Sequence, residues 1–286
     1  MMYIFLLLMV AFLVLIERKI LGLSQIRKGP NIVGFFGILQ TLMDGIKLIL
    51  KSFTVMKKNE FMMFIYSPMM GFFLSLLNYY FFIFFMVKSN MGYSILFNLF
   101  IGGLTVYTIL GSGWGSSNNY SLIGSLRAVA QMISYEVVLS FFILFLLIKQ
   151  NSFSWNGLKN LNLSSPSLFF CLFFLGIVIF SAELNRTPFD LVEGESELVG
   201  GYNVEYSGIG FTFLFLAEYL NIWFYSFVMV ILFFNIKFIY IYSIIFVFFF
   251  CWIRAMLPRF KFFDLIILMW KILLPLMTFF YMFFLL

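Results

Sequence analysis

Long apolar runs separated by short polar clusters fill the chain from end to end. Eight of them, at residues 2–22, 61–87, 92–111, 122–148, 166–184, 208–235, 238–257 and 266–285, are of membrane-crossing length. About 20 apolar residues in a helix traverse the ~30 Å hydrocarbon core of a bilayer. The pattern therefore predicts an all-α, polytopic membrane protein, a single transmembrane domain over 1–286, with an even number of spans that returns both termini to one side. The first run, Met1 to Ile16, has no basic leading segment and no small-residue cleavage site, and it enters Glu17, Arg18 and Lys19 directly. It reads as a retained helix, not a signal peptide.

One stretch breaks the rule. Across 31–52, Gln40, Asp44, Lys47 and Lys51 recur at spacings of four, three and four among apolar residues, which sets them on one face of an amphipathic helix. Two readings fit this helix: a structural element lying on the membrane surface, or one whose polar face lines a cavity where membrane meets water. Asp44 and Lys47 are also spaced to pair with each other.

Composition sharpens the class. Of 286 residues, 63% are hydrophobic and 10% charged, against roughly 25% charged in soluble domains, which excludes a soluble globular fold. Phenylalanine occupies 44 positions and methionine 17, a bias that fits AT-rich codons and an organellar genome. Histidine is absent, and the two cysteines, Cys171 and Cys251, lie in different apolar runs. A disulfide framework, a Cys-ligated iron–sulfur cluster and the usual zinc sites are thereby excluded, and no metal site is expected. No glycine-rich dinucleotide fingerprint or phosphate loop is present either, so the chain itself has nothing to hold a nicotinamide, flavin or ATP.

The net charge of +6 is distributed by topology. Fourteen of the 18 Lys and Arg fall in or beside the odd-numbered connections, and only Lys88, Lys149, Lys159 and Lys237 in the even ones. By the positive-inside rule the odd connections face the matrix or cytoplasm and both termini face the opposite side. No nucleic-acid partner is needed to explain the basic balance.

The acids share that face. Six of twelve, Glu183, Asp190, Glu193, Glu195, Glu197 and Glu205, crowd the fifth connection, opposed within it only by Arg186. A run of charge is usually solvated, but this loop (about 183–206) is short and interrupted by apolar residues and Gly200-Gly201. Packed like charges couple their titrations. Glu136 and Glu218 lie inside apolar runs, and Glu136 is set about 180° around its helix from Arg127, Gln131 and Ser134. An intramembrane carboxylate either marks a proton path or is a protonated structural group bonded to a neighbouring helix. On residues alone the chain is a multi-pass protein that moves protons or binds a lipid-soluble ligand between helices.

Four collinear segments carry a resemblance: Glu17-Arg-Lys-Ile-Leu-Gly with Gln25, Arg27, Gly29-Pro-Asn31 and Leu39-Gln40; Ser125-Leu-Arg-Ala-Val-Ala-Gln131 with Ser134-Tyr-Glu-Val137; the acidic segment 182–206; and Ile253-Arg254 with Pro258-Arg-Phe260 and Trp270-Lys271. Together they resemble the subunit 1 family of NADH dehydrogenase, respiratory complex I, over essentially the whole chain. The resemblance implies a core membrane subunit of the proton-pumping NADH:ubiquinone oxidoreductase of the mitochondrial inner membrane, with ubiquinone as substrate. It also implies partners among the other complex I subunits and membrane lipids, and places NADH, FMN and iron–sulfur clusters in those partner subunits. By carry-over, Arg27, Asp44 and Arg254, with Gln40 close by, are expected at the polar wall of a quinone tunnel. Glu136, Glu183, Asp190, Glu193, Glu195, Glu197 and Glu218, with Arg186 as counter-charge, are expected in an acidic relay that couples quinone reduction to proton movement.

The match has departures. Thr41 stands where the family commonly has proline, Lys51-Ser52 replaces Lys-Glu, and Lys261-Phe-Phe-Asp264 shifts an acid by one position, which leaves Asp264 without an expected role. Two competing readings remain: a stand-alone proton-coupled transporter, against which no discontinuous or repeated helices are evident, and the homologous membrane subunit of a proton-pumping hydrogenase.

Overall fold

The computed structural model describes residues 2–52, 60–87, 93–150, 152–158, 166–190, 201–203, 205–234 and 238–285. The described residues contain helices and connections and no strand. In chain order the helices are α1 (Met2–Ser24), α2 (Gln40–Leu50), α3 (Phe61–Val87), α4 (Ser94–Gly115), α5 (Asn119–Gln150), α6 (Trp155–Leu158), α7 (Pro166–Glu183), α8 (Gly208–Phe233) and α9 (Ile239–Met256). A last helix runs from α10 (Phe262–Ile267) through a π-helical turn, Leu268–Leu273, into α11 (Leu274–Leu285). Six of these helices are long and apolar enough to cross a membrane: α3, α4, α5, α8, α9 and the last one; of the eight expected, α7 is shorter and α1 carries Glu17, Arg18 and Lys19 toward its end. The protein is thus the all-helical, multi-pass membrane fold that its apolar runs predict, because a chain in lipid must satisfy its backbone within each segment.

The core lies around α5 and α8, the most enclosed of the long helices. Tyr135, Phe142 and Leu146 of α5 meet Leu220, Met229 and Val230 of α8 in one buried cluster. Gly176 of α7 admits both neighbours, since a Cβ there would lie 3.2 to 3.4 Å from Phe233, Phe142 and Met229. Phe100, Phe170, Ile245 and Phe279 are exposed on the outside. Such residues belong on a lipid-facing surface and not in a water-facing one.

Several helix boundaries differ by a few residues from the sequence expectation, and two of the differences have a local physical cause. The chain stays helical past residue 111 to Gly115 because the hydroxyls of Ser112 and Ser116 donate back to the carbonyls of Ile109 and Gly113, at 2.8 Å each. Their polar atoms are thereby satisfied within the helix. The surface helix, expected across 31–52, is only Gln40–Leu50. Before it, a 3-10 turn at Phe35–Gly37 holds Gly37 at φ 76, where a Cβ would collide with the Pro30 carbonyl. Lys51 has already turned to extended backbone and leaves the polar face.

The connections sort into two ends. Asn118 bonds Glu205, Gln131 bonds the Phe189 carbonyl, and the Phe260 amide bonds the Pro188 carbonyl. These contacts gather the third, fifth and seventh connections at one end of the bundle. At the other end, the Ile95 amide donates to the Phe153 carbonyl and the Trp155 amide to Ser94 Oγ.

Candidate functional site

Directly after α7 the chain turns sharply. Asn185 takes the left-handed conformation (φ 50) that commonly closes a helix, and the Phe189 amide bonds the Arg186 carbonyl at 2.8 Å. The turn is clamped from both sides. Gln131 Nε2 donates to the Phe189 carbonyl at 2.7 Å, Phe189 stacks on Phe260 at 5.4 Å between ring centroids, and Asp190 lies 3.5 Å from Arg259. This fixed turn sends the Arg186 side chain inward.

There it meets Glu17. The Glu17 carboxylate, on α1 and 3% exposed, accepts hydrogen bonds from Arg186 Nη1 at 2.6 Å, from Tyr219 Oη at 2.6 Å and from Arg254 Nη1. The Arg186 guanidinium also lies 4.3 Å from the centroid of the Tyr219 ring, a cation–π contact. Four elements, α1, the turn after α7, α8 and α9, supply the four side chains. Burial opposes charge on Arg186, but Glu17, Tyr219 and Glu218 together outweigh it and hold the guanidinium protonated. With two arginines on one carboxylate, the cluster keeps one positive charge in excess and faces a cavity of ≈ 350 Å³.

Two further cavities follow, each sharing a lining residue with the one before it. Arg186 also borders a space of ≈ 720 Å³ together with Glu183 and Glu218, where Tyr202 Oη donates to Glu218 at 2.6 Å. Glu183 in turn borders a third, of ≈ 380 Å³, with Glu136, Asn98 and Tyr225. Tyr225 Oη donates to Glu183 Oε1 at 3.2 Å. Glu136 gains its position from Gly102-Gly103, since a Cβ at residue 103 would lie 2.8 Å from its Oε1. The same carboxylate reaches an outer groove of ≈ 1010 Å³ between α4 and α5. Protonatable groups thus line a series of adjoining cavities from Glu17 to the outside of α5.

The expected site residues divide three ways. Arg186 and Arg254 meet in the Glu17 cluster, and Glu136, Glu183 and Glu218 line the adjoining cavities, while Asp190 lies apart as the partner of Arg259. Gln40 and Asp44 form a second group, where Asp44 accepts from Gln40 at 2.9 Å and from Arg18 at 2.6 Å instead of pairing with Lys47. Arg18 adjoins Glu17 on α1 and so ties the surface helix to the cluster. Arg27 is exposed and bonds Gln25 at 2.8 Å. Glu193, Glu195 and Glu197 lie outside the described residues.

Sequence reasoning did not select Glu17, Tyr219, Tyr225 or Asn98. Glu17 carried a local signal, as an acid at the end of an apolar run beside two basic residues. Its partners lie 169 and 237 residues away, a separation that no periodicity spans.

This fold and site define a multi-pass α-helical membrane protein that carries buried and half-buried acids and arginines between its helices. Among the described residues no group of His, Cys, Asp and Glu is placed to hold a metal ion. The family model for NADH dehydrogenase matches residues 1–285, and the chain belongs to that family. It is 44% identical over 285 residues to NADH-ubiquinone oxidoreductase chain 1 of Aedes aegypti, covering 96% of this chain and 90% of the relative. The same-named proteins of Paracentrotus lividus and Hyaloraphidium curvatum are each 43% identical, covering 94% and 93% of this chain and 88% and 89% of the relatives.

Proposed function

We propose that this chain is a core membrane subunit of a proton-pumping NADH:ubiquinone oxidoreductase in the mitochondrial inner membrane. It forms part of the ubiquinone tunnel and the acidic relay that couples quinone reduction to proton translocation. Odd connections face the matrix and both termini the intermembrane space. Its partners are other subunits of the membrane and peripheral arms together with membrane lipids, and NADH, FMN and iron–sulfur clusters reside in partner subunits. Relatives bearing the enzyme's name over nine-tenths of their length support the assignment. The observation that carries the mechanism is the Glu17, Arg186 and Arg254 cluster beside the acid-lined cavities.

In this reading Arg254, Asp44 and Gln40, with Arg27 at the mouth, form the polar wall along which the headgroup travels. Two electrons from the partner chain and two protons convert quinone to quinol, and the carbonyl oxygens gain negative character as they are reduced. They then compete with Glu17 for the N–H groups of Arg254 and Arg186. A carboxylate that loses its counter-charges binds a proton more readily. The change passes through Glu218 and Glu183 to Glu136, and from the outer groove to a neighbouring membrane subunit, with Asp190, Glu193, Glu195 and Glu197 in the loop that senses it.

The first test is a native gel of mild-detergent membranes, probed for this chain and stained for NADH dehydrogenase activity, followed by photolabelling with a quinone azide. Co-migration with a very large active band and labelling of this chain are expected. Migration as a small particle, from membranes in which the complex is intact, returns the stand-alone transporter to first place. Amide substitution of Glu183 and of Glu193 tests the relay: both are expected to impair coupled turnover, and full proton pumping after both changes refutes it.

A further inference from the structure

Asn98, one turn into α4, is 8% exposed, and neither its amide nitrogen nor its amide oxygen has a hydrogen-bond partner among the described residues. It lines the same cavity as Glu136 and Glu183. Glu183 Oε2 faces the identical problem: it is buried and unpaired, while Oε1 has Tyr225. The rest of the lining is mostly apolar, including Ile95, Leu139 and Phe224. Neighbouring hydroxyls on α4 do not show this pattern, because Thr105 and Thr108 bond carbonyls of their own helix.

An asparagine carries two donors and a two-fold acceptor, and burying them unpaired costs far more than an apolar residue at the same place. Buried polar groups around a cavity are normally satisfied by water with two to four partners. Nearby, Gly102 and Gly103 leave the Glu136 carboxylate free to approach from the opposite wall. We propose that Asn98 is a positioning residue that holds hydrogen-bonded water between Glu183 and Glu136, so that the two acids exchange protons through that water. The inference rests on the relay reading above and adds to it a residue that touches neither quinone nor the acidic loop. Asn98 accepts and donates without changing charge, which suits a group that orients a water and leaves the proton to the carboxylates.

Two substitutions separate water-holding from packing. Asn98→Leu fills the amide's space with methyl groups, whereas Asn98→Ala opens it to more water. In the assembled complex, reconstituted in proteoliposomes, we expect Asn98→Leu to lower coupled proton translocation about tenfold, the scale of one lost hydrogen bond to a charged group, and Asn98→Ala to lower it less. The solvent deuterium isotope effect on coupled turnover rises in the leucine variant, because the proton step becomes limiting. A packing role reverses the order, making alanine the worse variant with an unchanged isotope effect, and that result overturns the proposal. If the leucine variant fails to assemble, the isosteric pair Asn98→Thr and Asn98→Val decides: equal rates and isotope effects in the two overturn the proposal, and a slower valine variant supports it. Glu183→Gln is measured in parallel. Full pumping in Glu183→Gln refutes the relay itself, whereas lost pumping there with an unaffected Asn98→Leu refutes only the role of Asn98.

Discussion

Glu17 shows how much one side chain can depend on its partners. A carboxylate removed from water survives only with counter-charges and hydrogen bonds, and Glu17 has two guanidinium groups and a phenol. Glu17→Gln leaves two half-buried arginines without their shared counter-charge, whereas Arg254→Gln leaves a balanced Glu17 and Arg186 pair. We expect Glu17→Gln to cost about 3–5 kcal/mol, the range for breaking a buried pair, and Arg254→Gln distinctly less, read as the yield of assembled complex on a native gel and its thermal midpoint. Arg18 and Asp44 give the opposite case. Their side chains are 45% and 34% exposed, so Asp44→Asn is expected to change stability by less than about 1 kcal/mol; a larger loss would mean that the pair is enclosed by another subunit. Tyr206, just before α8, stacks on Phe64 at 4.3 Å and bonds Ser67 at 3.2 Å. Burial raises its phenol to about 12. Its contribution is therefore fully present below the ordinary tyrosine range and is lost as pH climbs from about 10 toward about 12. Tyr206→Phe should flatten that part of an alkaline unfolding profile.

At the scale of elements, the positions that matter are those where two helices come close. Gly103 of α4 gives room to Glu136 of α5, so Gly103→Val is expected to displace the carboxylate and impair proton translocation while the complex still assembles. Gly45 of α2 has nothing within 4 Å of a Cβ. Gly45→Ala should be neutral or raise stability by about 0.5–1 kcal/mol through helix propensity, and parallel pumping and melting assays of the two variants check the contrast. The helices themselves were legible as apolar runs, because length and hydropathy alone suit a segment to a bilayer. Their ends were not always legible: α4 continues to Gly115 because the hydroxyls of Ser112 and of the capping Ser116 each find a carbonyl on that helix. The polar face of α2 was readable at Gln40 and Asp44 but not at Lys51, where the helix has ended.

For the whole molecule the contacts among connections make a clear prediction. Those that bond one another at one end of the bundle are the third, fifth and seventh, and the second and fourth meet at the other. With exposed Cys171 replaced by serine, Gln25→Cys and Phe153→Cys should react with a membrane-impermeant maleimide from opposite faces of the membrane. Labelling of both from one face would overturn the proposed orientation. The chain's own residues determined the class of fold, the sidedness of its charge and the concentration of acids near the fifth connection. These are properties of composition and local spacing, which act before any helix meets another. Only the tertiary structure decided that Glu17 pairs with both Arg186 and Arg254, that Asp44 answers Arg18, and that Asn98 lines one cavity with Glu183. A charge inside a bilayer must find its partner wherever helix packing brings one, and that partner can lie 237 residues away.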